Sequence, residues 1–179
     1  GPLELLALSS TCAYATAAAD DFTLEQSAFI SRISWEGVYF AFSNDFPVPD
    51  ASVRITIFEG REGRVENVVA DIVNPSTVKA PHGRPPIFGQ NVVYSYIATL
   101  DEPVFLRGGR RYWISINVNP LGPGGPAWGW CASPDGNAAE TPEADQPWQS
   151  EQSPCAALPA QEFLPGTDFD LDADLAFAL

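Results

Sequence analysis

The sequence predicts an all-β protein, an antiparallel two-sheet sandwich of about eight strands. Three observations carry that expectation. Arg111 to Val118, RYWISINV, alternates Tyr112, Ile114, Ile116 and Val118 with Trp113, Ser115 and Asn117. A period of two in β-branched and aromatic residues marks a strand with one face on a core. Ser52 to Phe58 repeats the pattern, with Val53, Ile55 and Ile57 facing in and Arg54 and Thr56 facing out. No segment sustains an apolar helical period, and 17 Pro and 14 Gly supply many turns.

The 179 residues suffice for one well-cored domain. A formal net charge of -14, with Lys79 the only lysine, leaves no basic surface to track phosphates, which excludes nucleic acid as a partner. The same charge disfavours anionic membrane surfaces. No apolar run is long enough for a transmembrane helix. The acidity fits a repelling, soluble surface first and a cation-binding protein second.

The N-terminal stretch reads separately from the fold. Gly1-Pro2-Leu3-Glu4 has the form of a protease-cleavage and cloning scar. Leu5 to Ala19, LLALSSTCAYATAAA, reads as the end of a secretory signal closing on small residues, and a retained N-terminal arm is the alternative. The expected division is therefore a remnant over 1–19 and one sandwich domain over 20–179. Within it a Pro-rich insert spans about 132–160. Export, to the extracellular space or the periplasm, then makes Cys131 and Cys155 a disulfide pair. Closing that loop stabilises by about 3.5 kcal/mol in the chain-entropy model. Cys12 falls within the signal.

Taken in order, Asp20 to Leu24 is expected as a first edge strand. Phe29 to Phe42 follows, with apolar groups on both faces and, at Gly37, an expected bulge or a bend where the strand changes partner. Asn44 to Asp50 closes as a Pro loop, Ser52 to Phe58 is a strand, and Val65 to Val73 another, with Val68, Ala70 and Ile72 on one face. Asn74 to Gln90 carries four prolines and reads as a long irregular excursion. Asn91 to Thr99 is a strand, Asp101-Glu102-Pro103 a turn, and Val104 to Leu106 a short strand. Gly108-Gly109 then leads into RYWISINV with hairpin-like spacing. Pro120 to Pro126 breaks the sheet before Trp128-Gly129-Trp130, and Phe169 to Leu179 alternates as a final strand.

The succession DFTL, ISWEGVYF, VRITIFEG, VEN, YSYIATLDEPVFLRGGRRYWISI, WGW and DLAFAL resembles β-sandwich modules of secreted bacterial proteins. That family is similar to jelly-roll carbohydrate-binding modules and protease P-domains, and its members often carry a C-terminal sorting tag. The resemblance implies a jelly-roll type of sandwich, an extracellular location and a binding or adhesive role. It carries over no catalytic residues.

Candidate site residues follow from their chemistry. Trp35, Tyr39, Tyr94, Tyr96, Trp113, Trp128, Trp130 and Trp148 include the aromatics of a sugar-stacking platform. Most aromatics of a small sandwich are core, so Trp128, Trp148 and Trp35 are singled out, the first two because they flank irregular segments. The ladder Asp168, Asp170, Asp172 and Asp174, joined by Asp20 or Asp21 if first and last strands are neighbours, offers oxygen ligands to Ca2+. Alternate side chains of a strand lie roughly 6.6–7 Å apart, which favours a solvated face over one shared ion. His82 is the sole histidine, so a hydrolytic triad would have to use it, and no spacing singles out a carboxylate pair. The sequence thus points to a non-catalytic module for an extracellular glycan or other polymer, with Ca2+ as its only candidate cofactor. A structural or adhesive surface protein acting through protein contacts is the alternative.

Overall fold

The computed structural model describes residues 7–9, 17–40, 50–61, 64–83, 92–120, 127–133, 148–150, 164–165, 174–175 and 177–179. The strands are β1 (Ala7–Ser9), β2 (Ala17–Thr23), β3 (Ala28–Phe40), β4 (Asp50–Arg61), β5 (Arg64–Val73), β6 (Ser76–Pro81) and β7 (Val93–Leu106). They continue with β8 (Arg111–Pro120), β9 (Ala127–Ser133), β10 (Trp148–Ser150), β11 (Leu164–Pro165), β12 (Asp174–Leu175) and β13 (Phe177–Ala178). One sheet has the order β1-β9-β3-β7-β6, with β12 also on β9 and β13 on β3; the other is β11-β10-β2-β8-β4-β5. Every pairing is antiparallel. Eight strands, β2 to β9, have six or more residues and divide four to a sheet. The chain is therefore a two-sheet antiparallel β-sandwich, as its alternation predicts.

The core lies between the sheets. Strand β8 contributes Tyr112, Ile114, Ile116 and Val118, and β4 contributes Val53, Ile55 and Ile57. Ile33, Trp35 and Tyr39 of β3, Tyr96, Ala98 and Leu100 of β7, and Trp128 and Trp130 of β9 face them. The register pairs Val53 with Val118, Ile55 with Ile116 and Ile57 with Ile114, which is how the two clearest alternations become one apolar face. Trp113 is buried as well, on the opposite face of β8.

Several expectations are corrected. Strand β2 begins at Ala17, ahead of the expected Asp20; β10 pairs Ala17 to Ala19, whereas Asp20 to Thr23 pair with β8. Strand β7 runs unbroken through Asp101-Glu102-Pro103; the disturbance there is a register shift against Ile30 and Arg32 of β3. Gly108-Gly109 does not close a hairpin, since β7 and β8 belong to different sheets. The connection is instead pinned by Gly108 N–H donating to Ser27 Oγ at 3.0 Å and Gly109 N–H to Leu24 O at 2.8 Å, with Gly109 at φ +70°. Val68 is exposed although Ala70 and Ile72 pack on the core, because a bulge sets Ile57 opposite Ala70 but Phe58 opposite Val68. Within the irregular excursion, β6 is a regular edge strand. Its alternation is inverted, with Val78 exposed while Thr77 and Lys79 turn toward the other sheet.

The register shift between β3 and β7 sets Leu100 to Pro103 of β7 against Ser31, away from Gly37, where the other neighbour of β3 changes from β13 to β9. Gly37 also makes room: a Cβ there would collide with the indole ring of Trp128. That ring comes from β9 and lies across the hydrogen of Gly37 to reach β7 on the far side of β3. Overpacking at such a contact costs about 1–3 kcal/mol. Gly37→Ala is accordingly expected to lower the unfolding free energy by about 2 kcal/mol in urea titration. A change under about 0.5 kcal/mol would contradict the packing described.

Candidate functional site

Strands β5 and β6 are the terminal strands of their sheets in the order above, and the corner Asn74-Pro75 joins them. Asn74 sits at φ +50°, in the left-handed region that Asn tolerates better than most residues. It grips β4 at two points: its N–H donates to Val53 O at 2.7 Å, and its Oδ1 accepts from Val53 N–H at 3.0 Å. Thr77 Oγ1 then donates to Pro75 O at 2.9 Å. This corner carries the chain from one sheet to the other and places Lys79 opposite Asp50 at the start of β4. Between them opens a cleft of about 420 Å³ lined by Asp50, Ser52, Val53, Asn74, Pro75, Thr77 and Lys79.

A hydrogen-bonded chain runs out of the core to Asp50 and Lys79 of the cleft. Trp128 Nε1 donates to Tyr96 Oη at 3.1 Å, and Tyr96 Oη donates to Tyr39 Oη at 2.9 Å. Tyr39 Oη in turn donates to Asp50 Oδ1 and accepts from Lys79 Nζ at 3.0 Å. One hydroxyl thus gives one hydrogen bond and receives two, its full capacity. Lys79 Nζ lies 3.2 Å from Asp50 Oδ2 and 4.9, 5.2 and 5.9 Å from the ring centroids of Tyr39, Tyr94 and Tyr96. The ammonium is held by a carboxylate on one side and by aromatic faces on the other.

The rings are fixed by packing. Tyr96 stacks on Trp35 at 5.1 Å, Trp128 meets Tyr96 edge-on at 6.0 Å, and Tyr39 meets Tyr94 edge-on at 5.7 Å. Burial pushes the Tyr39 phenol well above its ordinary pKa, and Tyr96 and the Asp50 bond push the same way. Burial likewise raises Tyr96, with the Asp50 charge adding to it. The shift favours the protonated, hydrogen-bond-donating form of both phenols.

The remaining predicted residues fall elsewhere. Trp128 is fully buried and Trp35 nearly so, which corrects their placement on a sugar-facing surface: their indoles belong to the core. The side chain of Trp148 and residues Asp168, Asp170 and Asp172 lie outside the described residues. Asp21 is buried and its Oδ2 lies 2.9 Å from Arg111 Nη1, a cation already in place. Among the described residues no group of three or more His, Cys, Asp or Glu could hold a metal ion. Cys131 is buried in β9; there is no disulfide among the described residues, and Cys155 lies outside them. His82 Nε2 lies 2.7 Å from Glu36 Oε1, and neither residue lines the cleft.

Fold and site together define a non-helical sandwich module with a polar cleft at its open edge, among the described residues. Residues 41–179 match the family described as a domain of unknown function, DUF7901, and the chain belongs to that family. The match begins after β3, whose Ile33, Trp35 and Tyr39 complete the core and the site. No curated protein and no solved structure matches the chain.

The corner makes a specific demand at Asn74. Asn74→Ala loses the Oδ1 bond and strains a left-handed backbone, for an expected cost of about 2 kcal/mol. Asn74→Gly loses the bond but keeps the conformation, for about 1 kcal/mol. Equal losses in paired thermal and urea unfolding would show that the backbone conformation of Asn74 contributes nothing.

Proposed function

We propose that the protein is a secreted, non-catalytic binding module that takes a hydroxyl-rich ligand, a carbohydrate chain, in the cleft between β4, the Asn74-Pro75 corner and β6. One observation carries this reading: the cleft presents hydrogen-bond donors and acceptors side by side. Ser52 Oγ accepts from Asn119 Nδ2 at 2.8 Å, so its own hydrogen is directed elsewhere. Thr77 donates to Pro75 O and keeps its lone pairs as acceptors. The Nδ2 group of Asn74 adds donors, since Oδ1 is the atom that holds Val53. A sugar hydroxyl is donor and acceptor at once and suits such a wall. The volume of about 420 Å³ falls within the roughly 300–1,000 Å³ typical of small-molecule sites.

Hydrolysis draws less support. Among the described residues Asp50 is the only carboxylate lining the cleft, and it is engaged by Lys79 and Tyr39. Glycoside hydrolysis by the usual route needs two.

A second reading, a cell-surface protein working through protein contacts, draws on a different feature. Phe29 and Phe105 pair at 5.0 Å between centroids and stand 70% and 48% exposed, on the same sheet as the exposed Val78 and Ile97.

Saturation-transfer NMR and calorimetry with soluble glycans test the first reading, using wild type and Thr77→Arg, which fills the cleft from an edge strand. Binding by wild type and its loss in the variant, with the unfolding midpoint unchanged, are expected. Binding that survives Thr77→Arg would move the ligand off this site, and blank titrations across a broad glycan set would remove the reading. The same titrations run in calcium and in chelator test whether Ca2+ takes part.

A further inference from the structure

We propose that the cleft selects uncharged saccharides and discriminates against both acidic and amino sugars, an inference that rests on the binding reading above. The reason is that its two charges are already spent on each other. Asp50 and Lys79 lie 3.2 Å apart, with their side chains 15% and 18% exposed. Each has further partners that fix it where it stands. Tyr39 Oη donates to the carboxylate and accepts from the ammonium, and the rings of Tyr39, Tyr94 and Tyr96 surround the ammonium.

A ligand carboxylate would approach Lys79 only beside Asp50, gaining one charge and meeting the other. The excess of 23 acidic over 9 basic side chains in the chain adds to that repulsion. A ligand ammonium faces the mirror problem: it must draw Asp50 away from Lys79, which cannot follow without leaving its tyrosine cage. An uncharged hydroxyl needs neither separation. It accepts from one member of the pair or donates to the other while the pair stays closed, and Ser52, Asn74 and Thr77 complete its shell. The site's preference thus comes from charges cancelled in advance by the fold.

Competition calorimetry with matched neutral, uronic-acid and amino-sugar oligosaccharides tests this directly. Wild type is expected to bind the neutral member at least about 10-fold more tightly than either charged one. Its affinity is expected to change less than about twofold between low and high salt, because no net charge is transferred to the site. Asp50→Asn, checked for folding by circular dichroism, removes the carboxylate charge 3.2 Å from Lys79 and is expected to turn the preference toward the uronic acid. The salt series on wild type holds even if that variant misfolds. A wild-type protein that binds a charged sugar as tightly as the neutral one, or with strong salt dependence, overturns the selectivity while leaving the cleft a sugar site. Absence of binding by all three series, each at millimolar concentration, overturns the binding reading and the selectivity with it.

Discussion

The open edge of the sandwich depends on one polar contact, the meeting of Lys79 from β6 with Asp50 from β4 over the hydroxyl of Tyr39. A sandwich with a polar residue turned inward on an edge strand leaves that residue's desolvation uncompensated unless the opposite sheet supplies a partner. Here the partner is Asp50, and the chain Trp128–Tyr96–Tyr39 anchors the contact in the core. Gly37, on the same strand as Tyr39, belongs to the device because its missing side chain is what lets Trp128 reach Tyr96.

Much of the fold was legible where hydrophobicity alternates on a two-sided strand. The alternation of RYWISINV and of Val53-Ile55-Ile57 marks each as a strand with one apolar face, and their pairing in register is what the structure adds. The failures have identifiable causes. Strand β6 escaped because its inward residues are Thr77 and Lys79, so the apolar pattern is reversed, and the prolines that bracket it read as loop. Val68 changed face because a bulge, a feature of pairing with β4, intervened. Gly108-Gly109 satisfied every local sign of a hairpin, and only the partner strands decide whether such a turn stays in a sheet or leaves it.

The site was visible in pieces. Tyr39, Tyr94 and Tyr96 are among the aromatics whose chemistry suits sugar contact; Trp128 is singled out by the irregular segment it flanks, yet it and Trp35 are rings that the core buries. Lys79 was noted as the only lysine for what it implies about charge. Its position at an alternating site, in a chain with a net charge of -14 and many carboxylates to choose from, was a signal of a specific partner. Asp50 could not have been chosen in advance: it closes a Pro-rich loop, and its distance from Lys79 is set by the strand order and by the Asn74 corner.

The central claim is that Lys79 and Asp50 act as one unit across the two sheets, and a double-mutant cycle measures it most directly. Unfolding free energies of wild type, Asp50→Asn, Lys79→Met and the double variant give the coupling. A coupling of about 2 kcal/mol is predicted, with the double variant more stable than the sum of the single losses implies. Strict additivity within about 0.3 kcal/mol would contradict the account, since residues that share a contact of this kind do not respond independently.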